Sequence, residues 1–160
     1  MVSARWRRVL TAIACALALA ACGSPARRDA APVALKDHFD KAMLVDRTTV
    51  LVFWASWCDY CAANLREIDA LERGTSSSRV RFVGLTIDED RAAAQAFIDG
   101  IHPRFDNYFG GEAEARRDRV GSLTTVLIVD PSGKVVHRYT RFADGDMAAL
   151  RAQVDSLAER

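Results

Sequence analysis

Cys58 and Cys61 stand three residues apart in the segment Trp54-Ala55-Ser56-Trp57-Cys58-Asp59-Tyr60-Cys61. Two thiols at that spacing can exchange a disulfide with a partner, because the thiolate is the attacking species. If Cys58 opens a partner's disulfide, the mixed disulfide lies within reach of Cys61. Cys61 then resolves it at very high local concentration and leaves a Cys58–Cys61 bridge. A purely structural bridge across so short a loop would remove little unfolded-chain entropy, so stabilisation is a poor reason for the pair. A zinc knuckle commonly needs four ligands, and no second Cys pair at such spacing exists in the chain.

The flanking residues say how the pair is held. Thr49-Val50-Leu51-Val52-Phe53-Trp54 has no Gly, Pro or charge and predicts a strand buried on both faces. After Cys61, Leu65, Ile68 and Leu71 recur at helical spacing, with Asn64, Arg66, Glu67, Asp69 and Glu72 on other faces. A strand therefore hands the cysteines to a helix, and both sulfurs are expected at its start. Free N–H groups and the positive end of the helix dipole favour a negative sulfur there. Asp59 works against this, since a close negative charge disfavours a Cys58 thiolate.

Further along, Val80–Ile87 predicts a second inner strand, and Asp88 the N-cap of a helix through Ala94, Phe97 and Ile98 that Gly100 stops. After a short segment at Phe105–Phe109 comes a charged helical stretch, Glu112–Arg119. Thr124–Val129 and Lys134–Tyr139 flank Asp130-Pro131-Ser132-Gly133, a hairpin turn with Pro and Gly at fitting positions. A closing helix from Asp144 puts Met147, Leu150, Val154 and Leu157 on one face.

The N-terminus decides the compartment. Arg5, Arg7 and Arg8 precede an apolar stretch, Val9–Ala20, too short to span a bilayer. This reads as an export signal over residues 1–21. Its end, Leu19-Ala20-Ala21-Cys22, resembles the lipobox of bacterial lipoproteins, which implies lipid attachment at Cys22 and anchoring to the bilayer. Cleavage after Ala20 or Ala21 by an ordinary signal peptidase is the alternative. Of the four cysteines, Cys15 then leaves with the signal and Cys58 and Cys61 remain as the free pair. Residues 22–33, with Ser24, Pro25 and Pro32, read as a tether, and 34–160 as one domain.

Without Arg5, Arg7 and Arg8 the 22 basic residues fall to 19 against 21 acidic. That balance points to no nucleic-acid partner. The 160 residues, less a signal of 21, leave 139, enough for one core and too few for two comfortable domains.

Phe53–Cys61, Val83-Gly84-Leu85-Thr86-Ile87-Asp88 and Thr124–Asp130 with Gly133 together resemble the thioredoxin-like superfamily, specifically its exported TlpA-type branch. The resemblance covers most of Val45–Leu157. It implies an α/β fold: a single thioredoxin-like domain with a central mixed β-sheet flanked by helices and the Cys-x-x-Cys at the N-terminus of the first long helix. It also implies a thiol/disulfide oxidoreductase with no bound cofactor. Its partners would be exported client proteins with disulfides or thiols, apocytochrome c among the candidates, and a membrane electron donor. The catalytic residues would be Cys58 and Cys61, surrounded by Trp57, Asp59, Tyr60, Ser122 and Leu123.

The chain departs from the pattern in three places. The family's cis-proline is replaced by Leu123 in Gly121-Ser122-Leu123-Thr124. A cis bond before Leu123 would cost about 3–4 kcal/mol, so trans is expected. Ser122 and Leu123 then offer backbone groups and an apolar side chain to a client, and loss of the ring leaves the sulfurs open to stray zinc or copper. The family's proton-handling acids are replaced by Val52 and Asn64, with Asp59 and Glu67 as the nearest substitutes. Tyr60 replaces the proline often found before the second cysteine and enlarges the surface a client meets. His38, His102 and His137 read as surface or packing residues, and no metal site is expected. The direction is read as reduction. The alternative is a metal-handling or client-binding protein that kept the fold without turnover.

Overall fold

The computed structural model describes residues 33–159; the expected signal, Cys22 and the tether as far as residue 32 lie outside them. A 3-10 turn at Lys41–Leu44 precedes the regular elements. These are β1 Thr48–Trp54, α1 Cys61–Gly74, β2 Val80–Thr86, α2 Arg91–Asp99, β3 Asp106–Tyr108, α3 Glu112–Arg117, β4 Thr125–Val129, β5 Val135–Tyr139 and α4 Asp144–Glu159.

The strands form one mixed sheet in the order β3-β2-β1-β4-β5. β1 pairs in parallel with β2 and antiparallel with β4, which puts it at the centre. All seven β1 residues are buried, as a strand covered on both faces requires. Val50, Val52 and Trp54 pack with Cys61, Leu65, Ile68 and Leu71 of α1, Ala94 and Ile98 of α2, and Leu150 and Val154 of α4. Leu51 and Phe53 pack on the other face with Leu44, Tyr108 and Ala115 of α3. The fold is the single thioredoxin-like α/β domain expected from the sequence.

Several boundaries differ from the expected ones. β2 stops at Thr86, and α2 is capped by Asp90, which accepts from the Ala92 and Ala93 amides, not by Asp88. Asp88 is buried and committed to other bonds, so the next acid able to accept from free helix N–H groups takes the cap. The segment at Phe105–Phe109 yields the edge strand β3, which pairs with Val83–Leu85. The stretch expected to be helical to Arg119 ends at Arg117, with Arg119 at φ 53°.

Candidate active site

β1 ends at Trp54, whose ring is fully buried and stacks on Phe97, centroids 5.4 Å apart. The chain then makes a tight bend: Cys58 N–H donates to the Ala55 carbonyl and Cys61 N–H to the Cys58 carbonyl, both at 3.2 Å. The helix begins at Cys61, so only that cysteine lies in α1 and Cys58 sits in the turn before it. The Cys-x-x-Cys thus stands at the N-terminus of the first long helix, as expected, with Cys61 inside its first turn and Cys58 just ahead of it. The cap residue, Tyr60, offers no side-chain acceptor to the free helix N–H groups, which therefore remain directed at the turn.

Cys58 and Cys61 are joined in a disulfide, with Cα atoms 5.4 Å apart. Their exposures differ: Cys61 is fully buried, while Cys58 is partly exposed at the edge of the core. Trp57 and Tyr60 on either side of Cys58 are 66% and 74% exposed. Asp59 is exposed too.

Asp88, missed as a site residue, fixes the bend. Its carboxylate accepts from Ser56 N–H at 2.9 Å, from Ser56 Oγ at 2.7 Å and from Thr86 Oγ1 at 2.5 Å. A buried carboxylate with three donors is a firm anchor, and it ties the segment before Cys58 to the end of β2. The proximity crosses 32 residues, which sequence spacing cannot show.

At the start of α1 lies a groove of about 450 Å³ lined by residues that include Tyr60, Asn64, Ser122, Leu123, Arg141 and Phe142. The expected site residues Tyr60, Ser122 and Leu123 therefore meet in one place, while Trp57 and Asp59 do not line this groove. The peptide bond before Leu123 is not cis; the cis bond is the next one, Leu123–Thr124. Val52, where the resemblance placed an acid, is sealed in the core. Asn64, at the other acid position, donates from Nδ2 to Thr124 Oγ1 at 2.9 Å and to the Phe142 carbonyl at 3.1 Å. Thr124 Oγ1 in turn lies 3.4 Å from Cys61 Sγ. In the sequence Thr124 reads as the start of a strand next to the loop that the resemblance sets against the sulfurs, and nothing marks its hydroxyl as the group that meets Cys61. Among the described residues no group of three or more His, Cys, Asp or Glu side chains is placed to hold a metal ion.

A partly exposed cysteine bonded to a fully buried one, with exposed aromatic surface around the first, is an arrangement suited to thiol–disulfide exchange. Three curated proteins are similar to this chain in sequence. The protein from ORF3 of a mercury resistance operon in Streptomyces lividans is 29% identical over 127 residues, 76% of this chain and 67% of its own. The thiol:disulfide interchange protein TxlA of Synechococcus elongatus is 34% identical over 88 residues, 53% of this chain and 44% of its own. DsbE of Yersinia pestis, also a thiol:disulfide interchange protein, is 27% identical over 104 residues, 63% of this chain and 53% of its own. The chain thus spans about half the length of TxlA and DsbE. In fold, it superposes on a secreted Mycobacterium tuberculosis disulfide oxidoreductase homologous to E. coli DsbE, with a TM-score of 0.64 and 24% identity over 74% of this chain and 88% of that one. Residues 26–153 match the Redoxin family, and the chain, a thioredoxin-like domain with a Cys-x-x-Cys disulfide at the start of its first long helix, belongs to that family.

Proposed function

We propose that this protein is a cell-envelope thiol/disulfide oxidoreductase that reduces disulfides of exported client proteins, anchored to a bacterial membrane through lipid on Cys22. The observation that carries the reading is the unequal exposure of the two bonded sulfurs: Cys58 can be reached by a client, and Cys61 only from within the protein. In the reductive direction, a Cys58 thiolate attacks a client disulfide and expels one client thiolate. Cys61 then attacks Cys58 Sγ, the second client thiolate leaves, and the Cys58–Cys61 bond forms. A membrane electron donor must return the pair to the dithiol, because exported compartments keep disulfides oxidised.

Three features support the finer points. The groove at the start of α1, with Leu123, Phe142 and Tyr60 in its walls, suits an unfolded segment carrying an apolar side chain next to its cysteine. The likeness to DsbE favours exported clients, with apocytochrome c thiols among the candidates, and a TlpA-type place in the superfamily. Asp59 beside Cys58 disfavours the thiolate and so favours a reductant over a strong oxidant. The metal-handling alternative is not favoured, because the Redoxin match and the likeness to two thiol:disulfide interchange proteins both speak for exchange.

The deciding experiment equilibrates the Cys58–Cys61 pair with glutathione. A potential near that of thioredoxin, about −270 mV, is expected for a reductase; one near that of DsbA, about −120 mV, would reverse the assigned direction.

A further inference from the structure

The sulfur of Cys61 is sealed from solvent, and burial disfavours a thiolate. Yet this is the sulfur that must attack to release a client. Its polar neighbour is the Thr124 hydroxyl, 3.4 Å away and itself buried. In the disulfide the sulfur carries no hydrogen, so the hydroxyl donates.

Asn64 fixes the same direction independently. The Phe142 carbonyl, 3.1 Å from the amide nitrogen, can only accept. The Asn64 NH2 group must therefore face this corner, and its other hydrogen goes to Thr124 Oγ1 at 2.9 Å. With one lone pair occupied by Asn64, the hydroxyl's own hydrogen is left for the sulfur.

We propose that Asn64 is a positioning residue for the exchange reaction: it holds the Thr124 hydroxyl as a hydrogen-bond donor to Cys61 Sγ and so supports the buried thiolate with neutral groups alone. The proposal rests on the reading of Cys61 as the resolving thiol. In that step Cys61 gives its proton to solvent, its sulfur bonds to Cys58 Sγ, the Cys58–client bond breaks, and the client leaves as a thiolate that takes a proton from solvent. The ionisable groups around this corner are Asp59 and Tyr60 in the preceding turn, Glu67 on α1 and Arg141 ahead of α4. All four are exposed, and the hydrogen bond to the sulfur comes from Thr124. Hydrogen bonding to the charged form favours it, so the pair offsets part of the cost of burial.

The test uses the reduced chain carrying Cys15→Ala and Cys22→Ala, mixed with 5,5′-dithiobis(2-nitrobenzoate). Attack by Cys58 releases one thionitrobenzoate in a second-order phase. Attack by Cys61 on the resulting mixed disulfide releases another in a first-order phase, whose pH midpoint reports on Cys61. Thr124→Val is expected to raise that midpoint by about one unit, slowing the phase about tenfold below it. Thr124→Ser should restore the native midpoint. Asn64→Ala should move it upward too, but add nothing in the Thr124→Val background, because Asn64 acts through the hydroxyl. An unmoved midpoint in Asn64→Ala overturns the proposal, and so does an equal Asn64→Ala shift with and without Thr124→Val. Should Thr124→Val not fold, Asn64→Ala alone decides by the first of these criteria. Absence of any second release from the native dithiol would instead remove Cys61 from its role, and the proposal with it.

Discussion

Cys58 and Cys61 are chemically identical side chains made unequal by position. Cys61 opens α1 and faces the core through Leu65, Ile68 and the β1 residues Val52 and Trp54, whereas Cys58 lies in a turn whose aromatic neighbours point outward. This difference assigns the roles. Cys61→Ser leaves Cys58 able to attack and removes the resolver, so it should accumulate mixed disulfides with a disulfide-bonded client peptide, visible as a mass adduct on non-reducing gels. Cys58→Ser should accumulate none, because Cys61 cannot reach a client. Equal trapping by the two variants would reject the assignment. The pair itself is plain in the sequence; the roles of Asn64 and Thr124 are not, because their meeting at Cys61 spans 60 residues or more. By sequence Asn64 marks only a missing acid, and its two hydrogen bonds depend on where β4 and the segment before α4 are brought by the sheet.

At the scale of elements, the strand–turn–helix unit works because β2 and β3 hold its start in place. Gly84 of β2 lies where a Cβ would run into the Asn107 side chain and approach Trp54 Nε1 to 3.0 Å. Asn107 Oδ1 accepts from that indole nitrogen at 3.0 Å. Gly84→Ala must push Asn107 aside and leave a buried N–H unpaired, so we expect a loss of about 2–4 kcal/mol, combining overpacking with an orphaned donor. A thermal melt checks it; an unchanged Tm would mean that the corner repacks freely. The β4–β5 turn responds to pH instead. Asp130 is held below the ordinary carboxylate range by the Ser132 hydroxyl, with the Lys134 and Ser132 amides adding to the effect. A depressed carboxyl stabilises the fold above its unfolded value and loses that contribution as pH falls through the folded one. The Tm gap between native protein and Asp130→Ala should therefore be full above about pH 5 and narrow on acidification below about pH 3.9. A gap that widens in acid would contradict this.

At the scale of the whole molecule, the sheet order β3-β2-β1-β4-β5 places β1 centrally, so the turn after β1 meets both the end of β2, through Asp88, and the loop before β4, through Thr124. No helix among the described residues is long and apolar enough to cross a membrane, and the anchor in the proposed function is lipid on Cys22. Cys22→Ala is expected to leave the signal uncut or to free a processed protein from the membrane fraction. A processed Cys22→Ala protein that still sediments with membranes would remove the lipid anchor from the proposed function.

Local pattern in the sequence alone determined the main elements and the chemistry. An unbroken apolar run made β1, helical spacing made α1 and α4, Pro131 and Gly133 made the hairpin turn, and two cysteines three residues apart supplied the reactive pair. These signals lie within a few residues of one another, so backbone sterics and one-sided burial express them without knowledge of the rest of the chain. Only the tertiary structure decided which cysteine is buried, that Asp88 anchors the bend while Asp90 caps α2, and that Asn64 and Thr124 stand behind Cys61. Those outcomes are contests among polar groups for partners distant along the chain. Closing the sheet removes water from them and leaves each group to pair with what the fold has brought within reach.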